Sequence, residues 1–176
     1  GSHAVNESLS ERLKKDLGTK MAWAEGWPTY FGTTLQQEMG VSSLNIPNAG
    51  DTRYQDTASG IDYGIETGDK HNNGGEDAEI NITRLLWDLY DTNNDTGDTD
   101  VGYGDTVIWN TIDTSNAKRL STFYSAFIKG KNARDIASLG CTLTHYDIAP
   151  EITSPANKSS AEFDTMPTFE WIPNGG

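Results

Sequence analysis

The chain has 176 residues, enough for one domain with a substantial core. It carries 26 acidic against 13 basic side chains, and this formal net charge of -13 argues against nucleic acid or an anionic membrane surface as a partner. It has a single cysteine, Cys141, and no apolar run of the roughly 18 residues that a membrane span needs. We therefore expect a secreted, extracellular protein that does not depend on disulfides, with a reducing compartment as the alternative.

The first 20 residues are polar and contain one predicted short helix. Leu9, Leu13 and Leu17 recur at four-residue spacing, which is typical of one face of a helix, and Gly18 is expected to end it. The chain begins with Gly-Ser-His, which is consistent either with the remnant of a tag or with native sequence.

A second helix is predicted from about residue 21 or 23 to residue 39, where Gly40 ends it. Pro28 is awkward because it lacks a backbone N–H and clashes with the preceding turn, so it is tolerated only in a first turn. We therefore expect the regular helix to begin near Gly26, with Glu25 at or just before its start, or the helix to be kinked there. The side chains predicted to face the core are Trp23, Trp27, Tyr30, Phe31 and Leu35.

The middle of the chain, residues 41–75, is rich in Asn, Asp, Gly, Thr and Ser and predicts a long loop that ends in His71 and two glycines. A loop of this length in a compact domain is usually functional or wraps a surface. The next segment, Glu76 to Asp91, is the clearest predicted helix, with an apolar stripe and acids in its first turn, where the helix dipole favours them.

Three shorter helices are predicted after that helix. The first begins near Val107, the second ends at Gly130, and the third runs from residue 132 or 133 to residue 139, where Gly140 stops it. Beyond residue 146 the prolines and the alternation around Phe169 indicate a linker and the opening strands of an incomplete β-sandwich. The fold class is therefore predicted as mainly α over residues 1–146, followed by a short β-type segment over residues 147–176.

One carboxylate, Glu25, lies in an unusually aromatic run. A carboxylate among indole rings is costly to bury unless a positive or hydrogen-bonding group meets it. Glu25 is therefore expected at a wet surface, in a salt bridge, or bound to a cation. From the residues alone, a solvated or salt-bridged acid in a first helical turn is the more frequent case.

Residues 22–32, AWAEGWPTYFG, resemble the AWxEGWAxxF segment of secreted zinc metallopeptidases of the gluzincin type. The run from Glu79 to Asp91 is similar to the ExxVxxxLWDLxD helix of the same family, and the two matches cover roughly residues 20–92. The resemblance implies the helical C-terminal lobe of a zincin-like catalytic domain. It also implies that Glu25 is the third zinc ligand, after two histidines of an HExxH helix.

The chain contains no HExxH, although a catalytic zinc needs three protein ligands and a general base. We therefore expect the C-terminal portion of a secreted zinc-dependent metallopeptidase, inactive alone, which supplies the third ligand and a cleft wall to an N-terminal HExxH-bearing part. A diverged inactive homologue is the other interpretation. Pro28, where the family usually has Ala, is a milder departure.

The resemblance also implies roles for other residues and a peptide or protein as the substrate. Thr29, one turn after Glu25, is expected to support a zinc ligand through a hydrogen bond. His71, on its glycine-flanked loop, is the candidate donor to a tetrahedral oxyanion, and His3, if native, is expected near the zinc cleft. For both, an ordinary surface histidine is the more frequent alternative. The proline-rich end resembles the Ig-like or fibronectin-like modules that often follow such catalytic domains.

A second candidate site is the acidic segment that follows the 76–91 helix. It offers alternating oxygen ligands that suit a hard cation such as calcium, although its spacing is not that of an EF-hand. A solvated acidic turn explains it equally well. The alternative function is a non-catalytic secreted module that binds calcium or glycans through acidic and aromatic loops. The candidate calcium ligands are Asp91, Asn93, Asp95, Asp98 and Asp100.

Overall fold

The fold is mainly helical, as the sequence predicts. The computed structural model describes residues 3–46, 49–56, 58, 60–66, 75–93 and 102–148. Within these ranges the chain forms six α-helices, one short 3-10 helix at Val41–Leu44 and one β-hairpin. The α-helices are α1 Leu9–Arg12, α2 Lys15–Glu38, α3 Glu79–Tyr90, α4 Asp105–Ser115, α5 Leu120–Phe127 and α6 Ala133–His145, and the strands are β1 Arg53–Asp56 and β2 Ile61–Gly64.

Helix α3 is the centre of the fold, since every residue from 80 to 89 is buried. Helix α2 crosses it at Gly26, where a Cβ would lie 2.6 Å from the Glu79 carbonyl oxygen and 2.7 Å from the Ile82 Cβ. Only a residue without a side chain permits this approach of the two backbones. The crossing places the middle of α2 directly beside the first turn of α3.

Helix α5 covers another side of α2 through aromatic contacts. The rings of Trp23 and Phe123 lie 5.5 Å apart between centroids, and both side chains are buried. The Trp23 indole N–H donates to the Ala117 carbonyl oxygen at 3.1 Å, so this buried donor is satisfied. At the surface, the Asp16 carboxylate bridges to Arg119 at 2.5 Å and thereby links the first turn of α2 to the start of α5.

The predicted end of the first helix and the predicted start of the second are wrong, whereas α2 ends at Glu38, close to the predicted residue 39. Gly18 does not end a helix but lies inside α2, buried against α1, where a Cβ would meet the Ser10 backbone nitrogen at 2.7 Å. Pro28 also lies inside α2, so Glu25 is not at a helix start. The proline is tolerated because it and Ala24, whose carbonyl loses its intrahelical partner, are both exposed and open to water.

Residues 41–75, predicted as a loop, contain the 3-10 helix and the antiparallel pair β1–β2, with Arg53 opposite Gly64. The hairpin carries a two-pronged ion pair from Arg53 to Asp62, with both N···O distances 2.6 Å. Its end is fixed to the core by the guanidinium of Arg84, on α3, which donates to the Gly64 carbonyl oxygen at 2.7 Å. The two strands are four residues long with mostly polar side chains, so they show no clear alternation of apolar and polar residues. Their sequence therefore does not predict strands.

The other expectations have mixed outcomes. Gly40 and Gly130 follow their helices with positive φ angles of 63° and 78°, as glycines that end helices do. Gly140, in contrast, lies within α6, which continues to His145. Leu35 was expected in the core but is 45 % exposed. The predicted β-type segment over 147–176 lies outside the described residues apart from its first two positions.

The aromatic residues of α2 are buried to different degrees. Trp23 and Tyr30 are in the core, as predicted, whereas Trp27 and Phe31 are only partly buried and contact Trp109 on α4.

In the described part of the chain, no helix is both long enough and apolar enough to cross a membrane.

Candidate metal centre

Three acidic or basic side chains from separate segments meet beside the α2–α3 crossing. His3 precedes α1, Glu25 lies in the middle of α2, and Glu79 is the first residue of α3. The His3 Nε2 atom lies 3.0 Å from Glu25 Oε2 and 3.2 Å from Glu79 Oε2. One donor atom from each side chain lies within 4.8 Å of the other two. The imidazole therefore stands between two carboxylates.

The backbone around the cluster explains why these side chains converge. Because Gly26 lets α2 approach α3 closely, the neighbouring Glu25 reaches the first turn of α3. The Thr83 hydroxyl fastens the crossing by donating to the Gly26 carbonyl oxygen at 3.0 Å. On the other side, the Ile80 N–H donates to the Val5 carbonyl oxygen at 3.3 Å and holds the segment after His3 against the start of α3.

The cluster is unevenly open to solvent. The side chains of His3 and Glu79 are only 11 % and 13 % exposed, whereas that of Glu25 is 40 % exposed. Burial, together with the hydrogen bond that a protonated Glu79 donates to the Glu25 carboxylate, raises the pKa of Glu79 to about 7, against a partial opposing effect of His3. Two carboxylates in this arrangement are favourable only when a proton or a cation lies between them.

The donor set fits a transition-metal ion such as zinc. Zinc accepts imidazole and carboxylate ligands at about 2.0 to 2.2 Å, and tetrahedral geometry then separates the donor atoms by roughly 3.3 Å. The two distances from His3 Nε2, 3.0 and 3.2 Å, are close to that separation, and they are equally the distances of the ion pairs or hydrogen bonds that the imidazole makes with the two carboxylates. Three protein ligands would leave a fourth position for water, which is the pattern of catalytic zinc sites.

The structure places the residues that the resemblance singled out as follows. Glu25 and His3 are both members of the cluster, and the zinc cleft near which His3 was expected stays a prediction. The Thr29 hydroxyl donates to the backbone carbonyl oxygen of Glu25 at 3.0 Å. His71 lies outside the described residues. Glu79 was not assigned a role from the sequence, although it is the first residue of the run that resembles the metallopeptidase helix.

The structure describes only some of the predicted calcium ligands. Asp91 and Asn93 are described, and the last three lie outside the described residues: Asp95, Asp98 and Asp100. The Asn93 amide nitrogen donates at 2.7 Å to Glu66, whose second carboxylate oxygen accepts from the indole N–H of Trp87. These contacts tie the end of α3 to the hairpin, and calcium binding here stays a prediction.

No family model, curated protein or solved structure matches this chain. A function must therefore be inferred from its own residues. The described residues bring one imidazole and two carboxylates together beside the close crossing of α2 and α3. That arrangement can hold a divalent cation, and one of its members, Glu25, faces solvent.

Proposed function

We propose that this chain is the C-terminal lobe of a secreted zinc-dependent metallopeptidase, in which Glu25 is a zinc ligand. The proposal is supported by one observation above all. The two segments that resemble the metallopeptidase family, residues 22–32 and 79–91, pack against each other at Gly26, and their glutamates converge on the imidazole of His3. Chance similarity in two separate stretches gives no reason for that convergence.

The residues of this chain hold and orient the metal in the proposed enzyme. A zinc ion held there would activate a water molecule for hydrolysis of a peptide bond. Glu25 contributes a carboxylate oxygen, and the Thr29 hydroxyl fixes the backbone that carries it. The partly exposed side of the cluster would let a peptide or protein substrate approach, and the role expected for residues 41–75 is that of a cleft wall.

The general base of such an enzyme comes from the N-terminal, HExxH-bearing part of the protein. Because this chain contains no HExxH, the chain alone is expected not to hydrolyse peptides. Robust zinc-dependent proteolysis by this chain, purified free of any other, would contradict the proposal.

The direct test measures zinc-dependent proteolysis by the longer protein that joins the HExxH-bearing part to this lobe. We expect Glu25→Gln to lower kcat/KM by more than about 100-fold, since loss of a metal ligand exceeds the roughly 10- to 100-fold effect of outer contacts. Glu11→Gln, on the exposed face of α1, removes the same charge away from the cluster and is the matched control. Equal activity of the two variants would refute the zinc-ligand role of Glu25.

A non-catalytic module that binds calcium or glycans is the second candidate. It is favoured by the partly exposed aromatic cluster, in which the rings of Phe31 and Trp109 lie 5.2 Å apart and Trp109 is 41 % exposed. Calorimetry separates the two candidates. Calcium binding that is lost in Asp95→Ala and unchanged in Glu25→Ala supports the binding module, whereas zinc binding lost in Glu25→Ala supports the peptidase lobe.

A further inference from the structure

The peptidase interpretation assigns one ligand of this chain, Glu25, to a metal whose other ligands come from elsewhere. We propose that this chain by itself carries a complete three-ligand site for a divalent transition-metal ion, formed by His3 Nε2 and one carboxylate oxygen each of Glu25 and Glu79. The proposal goes beyond the peptidase function because it requires no HExxH-bearing part. It is an alternative use of Glu25, since two histidines of an HExxH helix added to these three residues would give zinc five protein ligands and no open position for water.

The first support is the charge balance of the cluster. Glu79 is nearly buried and Glu25 is beside it, yet no Lys or Arg of the described residues forms an ion pair with either carboxylate. The cation recorded beside them is the His3 imidazole, which is charged only when protonated. Buried carboxylates are normally paired or bound to a metal ion, and a divalent ion would neutralise both at once.

The second support is that backbone contacts hold the segments that carry the ligands. The Thr29 hydroxyl donates to the Glu25 carbonyl oxygen at 3.0 Å, and the single O–H of Thr83 is shared between the carbonyl oxygens of Gly26 at 3.0 Å and Glu79 at 3.1 Å. The segment that carries His3 is fixed to the start of α3, where the Leu9 N–H donates to the Asp77 carbonyl oxygen at 3.1 Å. Donors held in place before binding lose little freedom when the ion arrives.

The third support concerns the kind of metal. One imidazole and two carboxylates suit zinc, cobalt or nickel, whereas calcium and magnesium prefer oxygen ligands only. The exposed side of Glu25 leaves a path for the ion and a position for water. We therefore expect zinc to bind in preference to calcium, with one ion per chain.

The test is calorimetric titration of this chain, carrying no added affinity tag, with zinc and separately with calcium. We expect one zinc site whose affinity falls by about tenfold or more in each of His3→Gln, Glu25→Gln and Glu79→Gln. The controls are His145→Gln on α6 and Glu11→Gln on α1, which remove the same groups elsewhere. Far-ultraviolet circular dichroism checks that every variant is folded.

Affinity alone does not separate a ligand from a residue that orients one, so X-ray absorption of the zinc-loaded chain completes the test. We expect a first shell near 2.0 Å with the scattering signature of one imidazole, present in His145→Gln and absent in His3→Gln. No zinc binding, or an imidazole signal that persists in His3→Gln, would overturn the proposal.

The zinc titration and the proteolysis assay can fail separately, so the two proposals are tested apart from each other. Zinc bound by the three residues, together with full proteolysis by Glu25→Gln in the longer protein, would refute the peptidase role and leave the site standing. Loss of proteolysis in Glu25→Gln, with no zinc bound by the chain alone, would refute the three-ligand site and leave the peptidase role of Glu25 standing.

Discussion

Replacing Gly26 with alanine tests whether the α2–α3 crossing builds the metal centre. The new Cβ would lie 2.6 Å from a backbone oxygen, whereas ordinary contacts begin near 3.4 Å, so the two helices must separate by roughly 0.8 Å. Overpacking of this kind costs about 1 to 3 kcal/mol, and the hydrogen bond from Thr83 to the Gly26 carbonyl adds about 1 kcal/mol. The better helix propensity of alanine offsets about 1 kcal/mol, so we expect a net loss of about 1 to 3 kcal/mol.

The matched control is Gly32→Ala, in the same helix. A Cβ at that position meets nothing within 4 Å, so the variant keeps only the gain in helix propensity, up to about 1 kcal/mol. Urea unfolding followed by circular dichroism and tryptophan fluorescence gives both free energies of unfolding. If Gly26→Ala is as stable as Gly32→Ala, the close approach of the two helices does not exist. We also expect Gly26→Ala, and not the control, to weaken zinc binding.

Three further results are expected. The pKa of Glu79 is about 7 in the folded chain against 4.5 for an exposed group. Between these two pH values the folded state therefore binds a proton that the unfolded state has released. The metal-free chain should lose about 1 to 2 kcal/mol of stability as pH rises from about 4.5 to 7. Urea unfolding at pH 4.5 and pH 8 should show this loss in the wild type and not in Glu79→Gln. Tyr146→Phe removes the 2.7 Å hydrogen bond to the buried Asp88 carboxylate and should cost about 1.5 to 3 kcal/mol in urea unfolding, and an unchanged midpoint would contradict this. Removing zinc with a chelator should lower the Tm of the loaded wild type and leave that of Glu25→Gln unchanged, as measured by scanning calorimetry.

The sequence predicted those elements whose pattern is local. Helix α3 could be found from its apolar stripe, and Gly40 could be identified as a helix end. Gly18 and Gly140 could not, since a glycine inside a helix and a glycine that ends one have the same local sequence, and what distinguishes them is the neighbouring element. The hairpin was missed because its short strands are polar.

The candidate site was found in part, and for the same reason. Glu25 could be identified as a candidate site residue because a carboxylate among aromatic residues is chemically unusual. Glu79 has no such context, since an acid at the start of a helix is common and favoured by the helix dipole. Its role becomes visible only when the two helices are packed together, because the convergence depends on a contact between residues that are far apart in sequence.

The attachment of the N-terminal segment has a kinetic consequence. The segment that carries His3 lies outside the helices and is held to the start of α3 by backbone hydrogen bonds such as the one from Ile80 to Val5. Segments outside packed helices open more readily than buried helices, at a free energy well below that of global unfolding. A bound ion can therefore leave when this short segment detaches, while α2 and α3 stay packed. The lifetime of the metal complex is then set by local opening, so it should be far shorter than the lifetime of the folded core.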